Sequence, residues 1–301
     1  MEYRKLGSLN VSLVGIGCNN FGWRTDAAGS ATVVDAALEA GINFFDTADV
    51  YGGGQSEEFL GRALKGRRDK AIIATKFGMK MGDGKEGAAP QYIHQALDAS
   101  LKRLQVDTID LYQIHQPDPK TPIADTMQAL DDAVKAGKVR EIGCSNFSAE
   151  QMRAARGVTG PRHFESVQND YSMMKRDAEK EVLPECKRTG VAFLPYFPLA
   201  NGLLTGKYRK GKPLPESSRG KDAFGPKVFT PENIERVETL IAFCESRGYS
   251  LLDLAFSWLA AHSEVASVIA GAKTADQVRA NSQAASWKLT PSDLAAVQRL
   301  L

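Results

Sequence analysis

Side chains that can exchange protons or donate hydrogen bonds recur where short β-rich segments of the chain end. These segment ends are Asp46, Lys76, His115, Asn146, Gln168 and Tyr196. A carboxylate, an ammonium, an imidazole, two amides and a phenol together could bind a polar ligand and transfer a proton to it. That chemistry requires the six ends to meet, so the arrangement of the segments that carry them decides whether a site forms.

The segments form an alternating pattern of short β-rich runs and longer stretches of helical period. The eight runs are Leu13–Gly17, Asn43–Asp46, Ala71–Lys76, Thr108–His115, Val139–Ser145, Ser166–Gln168, Val191–Tyr196 and Val265–Ile269. Such alternation is typical of a parallel sheet built from βαβ units. Eight units favour an α/β fold with one closed (β/α)8 TIM barrel, a single domain that spans residues 1–301. In such a barrel all strand ends point to one rim, where active sites lie.

Helix and loop signals support this division of the chain. Thr121, Thr230 and Thr290 each precede a proline, so each is a predicted helix N-cap. The glycines expected to follow helix ends are Gly41, Gly137, Gly190 and Gly248. The longest irregular segment, Thr205–Lys227, follows the seventh strand and is expected to overhang the carboxyl-terminal rim of the barrel.

The composition argues against several classes of protein. A net charge of +2 gives no field strong enough to collect nucleic acid, and no apolar run reaches the length of about 18 residues that a membrane span needs. The cysteines and histidines are widely separated and lack metal-ligand spacing, so we expect neither a disulfide framework nor a metal site. Because the N-terminus has no apolar signal segment, the sequence predicts a cytoplasmic protein.

Six motifs, each at a predicted strand end, resemble the signatures of one enzyme family. They are D-T-A-D-V-Y-G from Asp46, A-T-K ending at Lys76, L-Y-Q-I-H ending at His115, G-C-S-N-F from Gly143, Q-N-D-Y from Gln168 and Y-F-P-L-A-N-G-L-L-T-G-K from Tyr196. The chain resembles the aldo-keto reductases from about Arg4 to Asn281, in particular the bacterial type related to potassium-channel β-subunit-like reductases. The resemblance implies a TIM-barrel enzyme that reduces a carbonyl group with a nicotinamide cofactor.

The resemblance also implies four catalytic residues, and the chemistry of their side chains agrees with it. They are Asp46, Tyr51, Lys76 and His115. A free tyrosine has a pKa of about 10, and a nearby ammonium lowers that value by stabilising the phenolate. We therefore expect Lys76, held by Asp46, to lower the pKa of Tyr51, which donates a proton to the substrate oxygen. His115 is expected to donate a hydrogen bond to the same oxygen.

NADPH is the cofactor that the resemblance implies, with residues for each of its parts. Tyr196 is expected to stack on the nicotinamide ring. Asn146 and Gln168 are expected to bind its carboxamide, with Ser145 beside them. The other expected contacts are Gly17, Cys18 and Asn19 near the nicotinamide, Leu199, Gly202 and Lys207 along the diphosphate, and Gly271, Lys273, Thr274, Gln277 and Asn281 at the adenosine 2′-phosphate. The last group opens a helix, whose N-terminus favours an anion.

The substrate and two rival functions remain open at this point. The predicted pocket-lining residues are Phe21, Trp23, Tyr51, Phe77, Gln116 and Phe197. Aldehydes, ketones, keto-sugars and quinones all suit such a pocket, and the oligomeric state is open. One rival is a non-catalytic NADPH-binding subunit of the channel type. The other is a metal-dependent barrel enzyme, which would need more ligands at the rim than Asp46 and His115.

Overall fold

The strands and helices alternate along most of the chain. The computed structural model describes residues 1–82, 84–158, 162–213 and 225–301. The strands are β1 (Tyr3–Leu6), β2 (Leu9–Ser12), β3 (Val14–Gly17), β4 (Phe44–Asp46), β5 (Ile72–Phe77), β6 (Ile109–Ile114), β7 (Val139–Ser145), β8 (Ser166–Asp170), β9 (Ala192–Tyr196) and β10 (Val268–Gly271). The α-helices are α1 (Ala27–Glu39), α2 (Gln55–Ala63), α3 (Pro90–Leu104), α4 (Ile123–Lys135), α5 (Ala149–Arg156), α6 (Val182–Thr189), α7 (Gly225–Val228), α8 (Pro231–Glu245), α9 (Leu251–Ala260), α10 (Ala275–Ala284) and α11 (Pro291–Leu300).

Eight parallel strands close into a barrel. They are hydrogen-bonded in the order β10-β3-β4-β5-β6-β7-β8-β9. The two outer strands of this order meet at Phe193, which forms a parallel bridge with Val265. The Phe193 amide donates to the carbonyl of Glu264 at 2.7 Å, and the Ala266 amide donates to the carbonyl of Phe193 at 3.0 Å. The predicted single-domain (β/α)8 TIM barrel is therefore confirmed.

The last strand of the barrel begins later than predicted. The sequence places it at Val265–Ile269, but β10 runs from Val268 to Gly271 and pairs with β3 from Val14 to Gly17. Val265 contributes the isolated bridge to β9 instead. This shift places Gly271 at the end of the strand, next to the segment that opens α10.

An N-terminal hairpin that the sequence analysis did not predict covers the amino-terminal end of the barrel. Strands β1 and β2 pair antiparallel, with Tyr3 opposite Ser12. Leu6, Leu9 and Val11 are buried there, in one apolar cluster with inward residues of the barrel. The Ser8 amide also donates to Glu141 Oε1 at 2.8 Å. Because full burial of a leucine contributes roughly 1.5–3 kcal/mol, the hairpin stabilises this end of the barrel.

The helix signals were mostly right. Thr230 and Thr290 cap α8 and α11, and the four expected glycines all have positive φ after helices. Thr121 was wrong as a cap, because α4 follows Pro122 directly and Thr121 Oγ1 instead donates to Asp118 Oδ2 at 2.8 Å. In the described ranges, no helix is long and apolar enough to cross a membrane, and no group of three or more His, Cys, Asp or Glu residues could hold a metal ion.

Candidate active site

A cleft of about 620 Å³ opens at the carboxyl-terminal end of the barrel strands. Three of the four predicted catalytic residues line it: Asp46, Tyr51 and His115. The predicted cofactor residues that line it are Gly17, Asn19, Ser145, Asn146, Gln168, Tyr196, Leu199, Gly202, Lys207, Gly271, Lys273, Gln277 and Asn281. The fold thus brings five of the six polar strand ends into one cleft, as the alternating pattern of the sequence predicts, and buries the sixth, Lys76.

Asp46 and Lys76 form a buried ion pair beneath this cleft. Lys76 Nζ donates to Asp46 Oδ2 at 2.6 Å and to the carbonyl of Thr47 at 2.9 Å. Burial lowers the pKa of Lys76, but the negative charges of Asp46 and of a Tyr51 phenolate, with their hydrogen bonds, raise it by more. The net pKa lies above its ordinary value, so Lys76 is an ammonium at neutral pH.

Asp46 is fixed by side chains from two further strands. Its Oδ1 accepts a hydrogen bond from Gln113 Nε2 at 3.2 Å and another from Gln168 Nε2 at 2.9 Å. Gln113 lies on β6 and Gln168 on β8, so the two amides approach from across the barrel. With Lys76 on Oδ2, the carboxylate is bound on both oxygens, as a buried charge requires.

Tyr51 lies above the ion pair, in a 3₁₀ turn that begins α2. Lys76 Nζ is 5.2 Å from the centroid of its ring, and Gly52 and Gly53 of this turn have positive φ. Burial raises the pKa of Tyr51, and this effect exceeds the lowering by the charge and hydrogen bond of Lys76. The expected net lowering was therefore wrong: Lys76 does stabilise the phenolate, but desolvation costs the phenolate more. Tyr51 is a protonated phenol at neutral pH.

His115 faces Tyr51 across the cleft. Their ring centroids are 5.8 Å apart and their planes meet at 81°. Burial, and then the charge of Lys76, lower the pKa of His115 to about 3, so the imidazole is neutral at physiological pH. A neutral imidazole has one N–H donor. His115 Nδ1 is buried and accepts or donates no hydrogen bond within the described part of the chain.

The amides and the serine at the ends of β7 and β8 are linked to this group. Asn146 Nδ2 donates to the carbonyl of His115 at 2.9 Å, and Ser145 Oγ donates to the carbonyl of Gln168 at 2.8 Å. Asn146 has a positive φ of 62°, and its Oδ1 accepts a hydrogen bond from the Tyr196 hydroxyl at 2.7 Å. These bonds fix the side chains that were expected to meet a nicotinamide carboxamide.

The loop after β9 contributes a strained wall to the cleft. Phe197, Ala200 and Asn201 all have positive φ, a region that bulky side chains rarely adopt. Phe197 lies against Tyr196, with ring centroids 5.1 Å apart, and lines the cleft. Thr205 and Lys207 line it too. Residues 214–224 of the predicted overhanging segment Thr205–Lys227 lie outside the described residues.

The β10–α10 connection forms another part of the cleft wall. Gly271, Lys273, Gln277 and Asn281 line it, and the Lys273 amide donates to Gln277 Oε1 at 2.8 Å. Thr274 does not line the cleft, and its hydroxyl caps α10 by accepting from the Gln277 amide at 3.3 Å, so its contact with the adenosine phosphate stays a prediction. Cys18 does not line the cleft either, because it is fully buried, and its place near the nicotinamide stays a prediction.

Three of the predicted substrate-pocket residues do not line the cleft. Phe21 and Phe77 are fully buried in the apolar core, where Phe77 stacks on Tyr112. Trp23 is 64% exposed and points outward, with Arg24 over its ring. Phe197 and Gln116 do line the cleft. The residues that sequence reasoning missed are Asn20, Arg24, Met79, Pro198, Asn201, Thr205, Leu252, Ile269, Ala270 and Ala280.

Some of these missed residues carried a usable signal. Arg24 and Met79 lie within two positions of residues that were expected in the pocket, in loops that follow β3 and β5. Leu252 lies on α9, and nothing in its sequence context indicates the cleft. The site therefore consists of a tyrosine and a neutral histidine above a buried lysine–carboxylate pair. These side chains are of the types that carry out general acid–base catalysis.

Comparisons with known proteins agree with this class. A sequence model described as the aldo/keto reductase family matches residues 13–301. Aldo-keto reductase YhdN of Bacillus subtilis (strain 168) is 36% identical, with 100% of this chain and 94% of that protein covered. The uncharacterized oxidoreductase YrpG of the same organism is 34% identical, with 93% of this chain and 89% of that protein covered.

Solved structures give the same result. The glycerol dehydrogenase AKR11B4 from Gluconobacter oxydans superimposes with a TM-score of 0.87 and 32% identity, covering 100% of this chain and 95% of that one. The holo form of aldo-keto reductase AKR11C1 from Bacillus halodurans gives a TM-score of 0.80 and 34% identity, covering 100% and 96%. The chain belongs to the aldo/keto reductase family. It is an oxidoreductase of a family that uses nicotinamide cofactors.

Proposed function

We propose that this protein reduces an aldehyde or ketone to the alcohol with NADPH, and that Tyr51 donates the proton. The observation that carries the proposal is the placement of Tyr51 and His115 in one cleft, directly above the buried Asp46–Lys76 pair. A protonated phenol and a neutral imidazole can both donate to a single carbonyl oxygen between them.

The cleft suits a nicotinamide dinucleotide in size and in charge. Its volume of about 620 Å³ lies within the range of cofactor-sized sites. It extends from the tetrad of Asp46, Tyr51, Lys76 and His115 to the start of α10. Lys207 and Lys273 supply positive charge toward that helix N-terminus, which itself favours an anion. When bound, the cofactor would supply the hydride for the carbonyl carbon. Tyr196, Asn146 and Gln168 would hold its nicotinamide end, and Lys273 with Gln277 and Asn281 its adenosine phosphate.

The four tetrad residues divide the proton chemistry among themselves. Tyr51 starts as a phenol, because burial raises its pKa, and it gives its proton to the developing alkoxide. Lys76 then stabilises the phenolate that remains, while Asp46 keeps the ammonium in position. His115, kept neutral by burial, orients the carbonyl oxygen by donating one hydrogen bond.

The substrate side of the cleft favours a small carbonyl compound with an apolar part. Met79 and Phe197 contribute apolar surface, and Gln116 contributes an amide. Keto-sugars and quinones, which also carry a reducible carbonyl group, are further candidate substrates. The relative AKR11B4 is described as a glycerol dehydrogenase, which indicates that this scaffold can also act in the alcohol-oxidising direction. We also propose a reducing compartment such as the cytoplasm, because all four cysteines are buried free thiols.

The first test is a fluorescence titration of the ligand-free protein with NADPH and, in parallel, with NADH. We expect NADPH to bind much more tightly, and the loaded protein to reduce members of a panel of aldehydes and ketones. If neither nucleotide binds, the proposal is wrong, and a chelator-sensitive activity would then indicate a metal-dependent barrel enzyme. Tight binding without turnover of any carbonyl would indicate a binding subunit.

A further inference from the structure

One cation in the cleft has no part in the function proposed above. Arg24 lines the cleft from the loop between β3 and α1. Its position is set by the backbone of that loop: the amides of Arg24 and Thr25 both donate to the carbonyl of Asn20, at 2.8 and 3.0 Å, and the Gly22 amide donates to the carbonyl of Thr25 at 3.0 Å. The loop is therefore a defined turn rather than an irregular one.

This turn packs directly against the turn that carries Tyr51. A Cβ on Gly52 would lie 3.1 Å from Gly22 Cα, and a Cβ on Gly22 would lie 2.6 Å from Gln55 Cβ. On its other side, Asn20 Nδ2 donates to the carbonyl of Ala272 at 3.4 Å. Arg24 thus belongs to a loop that bridges the tetrad turn and the β10–α10 connection.

The guanidinium of Arg24 is also oriented. Its Cζ is 4.2 Å from the centroid of the Trp23 ring, which is itself 64% exposed. Stacking engages the flat face of a guanidinium, whereas recognition of a carboxylate or phosphate uses its N–H edge, so one arginine can do both. Trp23, wrongly expected to line the pocket, serves here as the platform for Arg24.

Charge is distributed unevenly around the cleft. Among its described lining residues the cations are Arg24, Lys207 and Lys273. They come from the loops after β3, β9 and β10, which are neighbours around the barrel. The wall formed by the ends of β4 to β8 carries Asp46, already neutralised by Lys76, and otherwise uncharged donors and acceptors. An anionic group in the cleft is therefore drawn to the side that carries Arg24.

We propose that Arg24, held on Trp23, is an oxyanion subsite of the cleft, on the loop that contacts both the Tyr51 turn and the β10–α10 connection. Its ligand is a phosphate or carboxylate group of a bound molecule. That group is either the diphosphate of the cofactor or an anionic substituent of the carbonyl substrate. The proposal rests on the proposed function only in that the cleft holds these two molecules.

The experiment compares Arg24→Met and Arg24→Lys with the control Arg62→Met. Arg62 also stacks on an aromatic ring, that of Phe59 at 4.9 Å, but it does not line the cleft. The first arm measures the NADPH dissociation constant by fluorescence titration at low and high salt. The second arm measures kcat and KM for the anionic 4-carboxybenzaldehyde and its neutral counterpart 4-formylbenzamide.

Loss of a charge-assisted hydrogen bond weakens binding by about tenfold or more. If the anion is the diphosphate, Arg24→Met weakens NADPH binding by that factor, flattens its salt dependence and affects the two aldehydes equally. If the anion belongs to the substrate, NADPH binding is unchanged and KM rises only for 4-carboxybenzaldehyde. In either case Arg24→Lys restores part of the loss, because it keeps the charge but not the bidentate edge.

Two results separate failure of this inference from failure of the proposed function. If wild type binds NADPH and reduces both aldehydes, and Arg24→Met matches Arg62→Met in both arms, the oxyanion subsite is refuted and the function stands. If wild type binds neither nucleotide, the function itself fails. Thermal unfolding of each variant identifies any loss of binding or activity that comes from misfolding, and Arg24→Lys separates the positive charge from the planar guanidinium that lies over Trp23.

Discussion

Buried polar side chains are fully hydrogen-bonded near the start of strand β6 but not just after its end. Near its start, Asp110 accepts hydrogen bonds from Arg68 at 2.6 Å, from Arg140 at 2.9 Å and from the amide of Ile73 at 2.8 Å. Just after its end, His115 has a buried Nδ1 that meets no partner among the described residues. The amino-terminal end of the barrel satisfies its charge internally, whereas the carboxyl-terminal end keeps hydrogen-bonding capacity for a ligand.

Asp49 and Asp110 show the same difference between the two ends of the barrel for a buried carboxyl group. Asp49 lies between Asp46 and Tyr51 in sequence, it is buried, and no side chain in the described part of the chain hydrogen-bonds to its oxygens. Burial, and then the charge of Glu57, raise its pKa to about 7. Asp110 is equally buried but is held by two arginines. Substitutions at the two ends should therefore have separable effects, on catalysis at one and on stability at the other.

The largest effect is expected at Tyr51. Tyr51→Phe removes the proton donor, so kcat for carbonyl reduction should fall by about 10²–10⁴-fold, while the NADPH dissociation constant stays within about twofold. Steady-state kinetics and fluorescence titration measure the two quantities. Tyr112→Phe is the matched control, since its hydroxyl is buried, unpartnered among the described residues and outside the cleft. Turnover by Tyr51→Phe near the wild-type rate would refute the assignment.

At the opposite end, Asp110→Ala should cost stability and leave chemistry intact. It leaves the buried Ile73 amide without an acceptor and two arginines without their carboxylate, so the free energy of unfolding should fall by about 1–3 kcal/mol. Urea denaturation measures this change. Asp98→Ala removes an exposed pair with Lys138 and should change stability by at most about 0.5 kcal/mol. A large drop in kcat of the folded Asp110→Ala protein would contradict the separation of the two ends.

A smaller effect is expected at the β10–α10 part of the cleft. Lys273→Met removes a cation from the start of α10, so binding of NADPH should weaken by about tenfold and binding of NADH much less. Parallel titrations measure both dissociation constants. Lys288→Met, which removes a surface partner of Glu2, should leave both unchanged. Equal losses for the two nucleotides at Lys273 would rule out a role in binding the 2′-phosphate.

The smallest effect concerns pH. The pKa of His115 is lowered to about 3 in the folded protein, against about 6.5 when unfolded, so only the unfolded chain binds this proton between those values. Stability is thus unaffected by this group above pH 6.5 and is lost as pH falls toward 3. His115→Gln should lessen the loss by about 1 kcal/mol per pH unit, measured by urea denaturation from pH 6.5 to 5. If the free energy of unfolding has the same pH dependence in both proteins, protonation of His115 does not destabilise the fold and the prediction is wrong.

Much of the fold and of the tetrad could be predicted from local sequence. The alternation of β-rich and helical segments indicates the barrel, and the polar strand ends indicate the rim, because parallel strands impose a common direction. The hairpin β1–β2 was not predicted because its strands are only four residues long and cover the end of the barrel instead of joining the barrel sheet. Such a position depends on tertiary packing alone.

Side-chain direction and solvation could not be predicted in this way. Phe77 and Trp23 are both aromatic residues at the ends of predicted strands or in the loops that follow them, yet one is buried in the core and the other is exposed. Thr274 lies in the β10–α10 connection that lines the cleft, but its hydroxyl accepts the N-cap hydrogen bond of α10. The sign of the pKa shift of Tyr51 depends on desolvation against the charge of Lys76, and only the packed structure gives their balance.

The carboxylate of Asp46 joins β4 to side chains from β5, β6 and β8 inside the barrel. The geometry of the proposed proton transfer is consequently set by side chains of the barrel interior, whereas most of the remaining cleft wall belongs to loops after the strands. Insertions or exchanges in the loops after β3, β5 and β9 should therefore change which carbonyl compounds are accepted while leaving the acid–base pair in place. In engineering terms, we expect this chain to separate a fixed reaction centre from an exchangeable binding surface.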